Sequence, residues 1–243
     1  LPVVAGIVGK ISQWLIWLMN TFIEKIDTLP FALTDNILFS IPQAIILFVL
    51  IIAASWWLFR KSSKAFVVAA FSLMTFVCSK TWDYISGISQ HTLIVYNVPQ
   101  HAAIDLINGK NYLFVGDTIL TQDGFLQNFH LKPSRIAYQL KKAESINNIK
   151  INNNIIQAGN KKILVLKTGV EPLSENTVNA DILIISGNPR LKLNNILNAI
   201  QPQIIVADAT NSNRKISSWQ KEADSLHLQF HAVANKGAFI TDW

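Results

Sequence analysis

The sequence predicts a mixed α/β domain preceded by membrane helices, and three observations carry that expectation. Residues Ile41 to Phe59 form an apolar segment without a charge, followed by the basic turn Arg60-Lys61-Ser62-Ser63-Lys64 and a second apolar segment, Ala65 to Cys78. At ~1.5 Å per residue the first segment approaches the ~30 Å hydrocarbon core of a bilayer. From His91 onward the pattern changes to short β runs, and in the last third strands alternate with helices.

Taken in order, the chain first offers an amphipathic stretch. Val8, Ile11, Leu15, Leu18, Phe22, Ile26 and Leu29 recur at steps of three or four, with Lys10, Asn20, Glu24 and Lys25 largely off that stripe. An interfacial helix lying along a membrane is expected over residues 1–30, ended by Pro30; a helix packed against other membrane helices has the same pattern. Residues 31–90 are expected to be a transmembrane helical hairpin, with Trp82 as an interfacial anchor. The alternative is a buried helical hairpin inside a large soluble domain. The basic turn belongs on the cytoplasmic side by the positive-inside rule, which returns residues 91–243 to the external face. The chain begins Leu-Pro-Val-Val, with neither an initiator methionine nor the basic start of a signal peptide, so a piece of a longer polypeptide is expected.

Composition agrees with a divided chain. Hydrophobic residues make up 50% of it and mean hydropathy is +0.30, with the excess before residue 90. The formal net charge is +6; from His91 onward 15 Lys and Arg face 11 Asp and Glu, a net of +4. A mildly basic domain is compatible with anionic lipid or nucleic acid. The single cysteine, Cys78, can build neither a disulfide framework nor a cysteine zinc site.

In the domain, Thr92–Val98, Ala102–Ile107 and Tyr112–Gly116 are expected strands of a meander, with Asn108-Gly109-Lys110-Asn111 as a turn. A helical pair is expected over Ile119–Leu140, its second member starting at Pro133-Ser134. Ile149–Ile151, Asn154–Gln157 and Lys162–Lys167 give three more strands, with Gly159-Asn160 as a turn. Then come a strand at Asp181–Ser186, a helix at Leu191–Ile200, a strand at Gln203–Ala207 and a helix at Lys215–Leu226. Leu228–Ala234 and Gly237–Ile240 are closing strands.

The loops after two of these strands are the candidate binding site. Ser186-Gly187-Asn188-Pro189 precedes a helix, with Arg190 and Lys192 close by, and Asn211-Ser212-Asn213-Arg214-Lys215 occupies the matching place after the next strand. Loops at the C-terminal ends of strands usually bind ligands in α/β sheets, and helix amides can hold an anion. The nucleic-acid contacts expected here are Asn188, Arg190, Lys192, Asn213, Arg214 and Lys215. Ordinary helix caps with solvated basic residues would look the same.

The order of elements resembles the C-terminal part of the ComEC family of bacterial inner-membrane DNA-uptake channels. The stretch Val95-Tyr96-Asn97-Val98-Pro99-Gln100-His101-Ala102-Ala103 is similar to that family's Asp-Val-Gly-Gln-Gly-Asp-Ala opening, keeping Val98, Gln100 and Ala103. Asp181 to Asn188 takes the place of a strand leading into His-His-Gly-Ser. Gln201-Pro202-Gln203 enters the next strand, and Phe230 to Ile240 resembles the closing hairpin. The resemblance implies a degenerate metallo-β-lactamase-like domain. Active members of that superfamily use two metals held by His and carboxylate ligands, marked by His-x-His-x-Asp-His. No such run exists here; Asp123, His130 and Glu144 are scattered, and Gly187 and Asn188 replace the later histidines. His227 and His231, if on one strand, would lie ~13 Å apart, too far for one ion. His101 falls in the opening motif near Asp105 and Asp117, as a vestigial polar site or a simple turn residue. His91 and His130 are isolated, and Val115-Gly116-Asp117 is read as a strand end.

The expectation is therefore a multi-pass component of the bacterial inner membrane, its C-terminal domain on the periplasmic side. It would pass single-stranded DNA during natural transformation, with that domain guiding the strand or bracing the channel. No metal, cofactor or catalytic residue is expected. Membrane lipid, other competence or channel components and a second copy are the expected partners besides DNA. The rival readings are a membrane-anchored metal-dependent hydrolase and a membrane-tethered interaction domain without nucleic-acid preference.

Overall fold

The computed structural model describes residues 2–29, 38–167, 179–197 and 200–243, and the chain divides into two units, Leu1–Leu38 and Phe39–Trp243. The first unit holds helix α1, Pro2–Asp27, which starts ahead of the expected Val8 and stops short of Leu29. From Ile7 onward its large apolar side chains, among them Trp14, Trp17 and Phe22, are exposed. Residues 30–37, with Pro30 as the expected end of that helix and the start of the expected hairpin region, lie outside the described residues.

The second unit opens with the hairpin. Helix α2, Ile41–Arg60, begins at a capping box: the Gln43 amide nitrogen donates to the Ser40 hydroxyl and the Ser40 amide to the Gln43 side chain. Helix α3 runs from Ser63 to Ile88, beyond the apolar segment expected to end at Cys78. It continues because its polar residues find partners. Gln43, nearly fully buried, donates from Nε2 to Ser79 Oγ at 2.8 Å and to Asp83 Oδ2 at 2.6 Å, and the Lys80 ammonium lies 4.6 Å above the Phe39 ring. Both helices are long and apolar enough to cross a membrane, and most of their large side chains face outward.

The end of α3 is fastened to the α/β domain. Strand β1, His91–Val95, begins three residues after it, and the Gln90 side chain donates to the carbonyls of Gly109 at 2.7 Å and Tyr138 at 2.9 Å. The Lys110 ammonium sits 3.4 Å above the Tyr84 ring. Gly109, at φ +58°, turns where a Cβ would come within 3.0 Å of the Ile88 carbonyl oxygen, so the turn between strands needs glycine.

The domain contains two sheets. β1 lies between β2, Ala103–Asn108, and the C-terminal strand β11, Phe239–Asp242; β3, Asn111–Gly116, follows antiparallel and β4, Lys141–Lys142, parallel. The second sheet is built from β5 (Ile149–Asn152), β6 (Ile155–Ala158), β7 (Lys161–Leu166), β8 (Ile182–Ile185), β9 (Ile204–Ala207) and β10 (Gln229–Ala232). β5 to β7 are antiparallel and β7 to β10 parallel. Leu93, Val95, Ile104 and Leu106 of the first sheet pack against Ile163, Val165, Ile182 and Ile184 of the second.

Each outer face carries its own cover. Helices α5 (Leu193–Leu197) and α6 (Asn213–Ser225) bury Ile196, Ile216 and Trp219 on the second sheet. On the first, a 3₁₀ turn at Thr118–Thr121, a π-turn at Gln127–Leu131 and helix α4, Lys132–Ala137, bury Leu120 and Leu131. The helical pair expected over Ile119–Leu140 is thus three short pieces. Strands covered on both faces account for the near-continuous apolar runs of β2 and β8. Two more expectations change. β1 ends at Val95 rather than Val98, because Gln100 takes a left-handed conformation in the turn that follows. β10 ends at Ala232, and Val233–Lys236 form the short helix α7 that carries the chain back to the first sheet.

Gly116 closes β3 where a Cβ would stand 2.2 Å from the Ala102 carbonyl oxygen. Gly116→Ala is expected to destabilise the protein by roughly 1–3 kcal/mol, measured by denaturant unfolding of the detergent-solubilised chain; an unchanged midpoint would mean that the backbone there yields freely.

Candidate functional site

One end of the sandwich gathers the polar residues. Val95, Ala103 and Gly116 mark that end of the first sheet through their pairings, and the amide of Gln100 donates to the carbonyl of Ala209 at 3.2 Å, tying the two sheets there. A cleft of about 450 Å³ opens between Gln100, Ala102 and Asp117 on one side and Lys167, Ser186, Asn188 and Thr210 on the other. It lies past the C-terminal ends of β7, β8 and β9, the usual place for ligands in α/β sheets. It is also the end opposite His91, Asn108 and the attachment of α3, a strand length or ~15 Å away.

Of the residues expected at the site, Asn188 and Lys215 are structural fasteners. Asn188, at φ 56°, donates its amide to Asn211 Oδ1 at 3.1 Å, and its Oδ1 accepts from the Ser212 amide and hydroxyl, each at 3.2 Å. The Lys215 ammonium donates to the carbonyls of Asn188 and Pro189, the latter at 2.7 Å. The structure therefore brings the two expected loops together and spends Lys215 on holding them. Arg190, Lys192, Asn213 and Arg214 are exposed.

Sequence reasoning passed over the most constrained group, Asp208, directly after β9. It is fully buried. Its Oδ1 accepts from the Thr210 amide at 3.0 Å, the Thr210 hydroxyl and Asn211 Nδ2 at 3.0 Å, while Oδ2 is sealed from solvent on the side of Ser186. Burial pushes its carboxyl above the usual range; the Ser186 and Thr210 side chains pull it back, and the Asp117 charge adds to the rise. The legible signal was an acidic residue set immediately behind a wholly apolar strand, Ile204–Ala207. Asp117 was read as a mere strand end, yet its Oδ2 accepts from His101 Nδ1 at 2.9 Å and from the Ala102 amide at 3.2 Å. His101 thus pairs with Asp117 and not with Asp105, which is buried against Arg135 and Tyr96.

A dinuclear metal centre does not fit these residues. Among the described residues no three His, Cys, Asp or Glu side chains gather, His101 and Asp117 are committed to each other, and one oxygen of Asp208 is already held. The two distant histidines also part company. His227 takes a left-handed conformation ahead of β10, whereas His231 lies within the strand and bonds the Gly237 carbonyl through Nε2 at 3.0 Å.

A two-sheet α/β domain continuing directly from two apolar helices, with a polar cleft at its far end, defines the class of protein. Residues 93–243 match the ComEC C-terminal domain family, and the chain belongs to that family. Membership ties it to competence DNA uptake. No curated protein and no solved structure matches the chain.

Proposed function

We propose that the chain is the C-terminal part of a channel that passes single-stranded DNA across the bacterial inner membrane during natural transformation. The observation that carries this reading is the family match over 93–243, on a domain fastened to a hairpin of two apolar helices. The hairpin crosses the membrane with Arg60, Lys61 and Lys64 on the cytoplasmic side, which sets the domain on the external side. The helix-sheet-sheet-helix layering supports a metallo-β-lactamase-like fold, and the donor set of the cleft supports a non-hydrolytic role, guiding the strand or bracing the channel.

DNA contact falls on the end of the domain away from the hairpin. Lys167 lines the cleft there, with exposed Arg190, Lys192 and Arg214 on the neighbouring loops. Between β3 and α4, Phe125 and Phe129 stack at 5.4 Å and are 75% and 64% exposed, a surface on which bases can stack. Other channel components, or a second copy, complete the pore around the outward apolar faces of α2 and α3.

The test is a titration of labelled single-stranded DNA into the full chain in detergent. With three or four phosphate contacts, affinity falls roughly 20- to 50-fold between 50 and 200 mM salt. The triple variant Arg190→Ala, Lys192→Ala, Arg214→Ala flattens that slope. Phe125→Ala with Phe129→Ala weakens binding without changing it. Lys215→Ala lowers stability and leaves the slope alone. Binding that ignores salt, or none, leaves only the bracing role; stoichiometric zinc or manganese in the sample, with strand cleavage, overturns the non-hydrolytic reading. Deletion in the host should abolish transformants.

A further inference from the structure

We propose that the membrane hairpin carries a site for an anionic phospholipid beside its basic turn. A groove of about 360 Å³ runs between the helices there. Val49, Ile52 and Trp56 of α2 and Val68 of α3 give it apolar walls, and Ser62 and Lys64 stand at its polar end. From Trp56 to Val49 the groove reaches about 10 Å along the helix, less than the ~15 Å of one leaflet's hydrocarbon. That depth suits the upper part of an acyl chain and is too short to seat another spanning helix.

Charge selects the head group. Arg60, Lys61 and Lys64 cluster at the groove's end, and no acidic residue occurs from Asn36 to Trp82 to neutralise them. The Ser62 hydroxyl makes no capping bond to α3. Lys61 takes the left-handed conformation, φ 50°, at the end of α2, where glycine is the usual residue. A cation is held there at a conformational cost, in the place where a phosphate would meet it.

The site rests on the membrane reading above, and the experiment separates the two. The full chain is reconstituted into nanodiscs of phosphatidylcholine with phosphatidylglycerol, and lipids that remain bound are read by native mass spectrometry. Phosphatidylglycerol should be retained over phosphatidylcholine. Lys64→Gln should cut that preference about fivefold, as expected for one cation near the head groups. Val68→Phe, which fills the groove and removes no charge, should reduce retention of both lipids. Entry into the discs with equal retention of both lipids overturns the site alone, as does a preference untouched by either variant. Failure to enter discs of any composition overturns the membrane reading and the site with it.

Discussion

Replacing Asp105 by leucine is expected to cost about 3–5 kcal/mol of stability, read as a lower denaturation midpoint of the full chain in detergent. Asp105 is fully buried in β2 and receives Arg135 Nε at 2.9 Å, Arg135 Nη2 at 3.0 Å and the Tyr96 hydroxyl at 2.8 Å. Arg135 in turn lies over the rings of Tyr112 and Phe114, 4.2 and 5.3 Å from their centroids. Burial pushes the Asp105 carboxyl up and the Arg135 bonds oppose it; burial works against the Arg135 charge too, yet the bonds from Asp105 raise its hold on the proton. Removing either partner strands the other's charge in the core. Arg135→Met should therefore cost as much as Asp105→Leu, whereas the double variant should recover most of the loss. Additive losses in that cycle would mean that the pair does not act as a unit. This pair fastens α4 to the first sheet, so its loss should also loosen the cover over Leu120 and Leu131.

Asp208→Asn is expected to act in the opposite direction and stabilise the protein at neutral pH. The native carboxyl is raised by burial above its unfolded value near 4. Between those two values the folded state binds the proton more tightly than the unfolded state. Stability from this group is therefore full below the unfolded value and is lost as pH rises through the native one. An amide does not titrate, so the variant should lack that decline and gain on the native protein as pH rises from 4 to 8. Thr210 and Asn211 can still donate to the remaining oxygen. Denaturation of both proteins from pH 4 to 8 checks this; a less stable variant, or parallel curves, would show that the carboxylate is fully compensated. Perturbed carboxylates beside a cleft are candidates for function, so the variant should also lower DNA uptake in the host.

The elements were legible where a simple period dominated. The apolar runs at Ile41–Phe59, Asp181–Ser186 and Gln203–Ala207 and the Asn-Gly turn at Asn108-Gly109 all lie where local pattern placed them, within a residue or two. The segment Ile119–Leu140 misled because its apolar residues are spaced for a helix. Burial of Leu120 and Leu131 against the first sheet instead draws the chain into short 3₁₀, π and α pieces. The continuation of α3 past Cys78 was hidden for a similar reason: Lys80 and Asp83 look like an end until Phe39 and Gln43 are seen beside them.

The candidate site divides in the same way. The sequence alone determined the hairpin, the alternation of elements and the two loops after β8 and β9, because each is written in local pattern or residue type. It could not say that the strands part into two sheets, since a strand buried on both faces looks the same in either arrangement. Nor could it say that Lys215 is consumed by the carbonyls of Asn188 and Pro189, that His101 meets Asp117, or that Asp208 is sealed from solvent. Those facts depend on segments 16 to 27 residues apart meeting at one end of the sandwich, and only the folded backbone sets such distances.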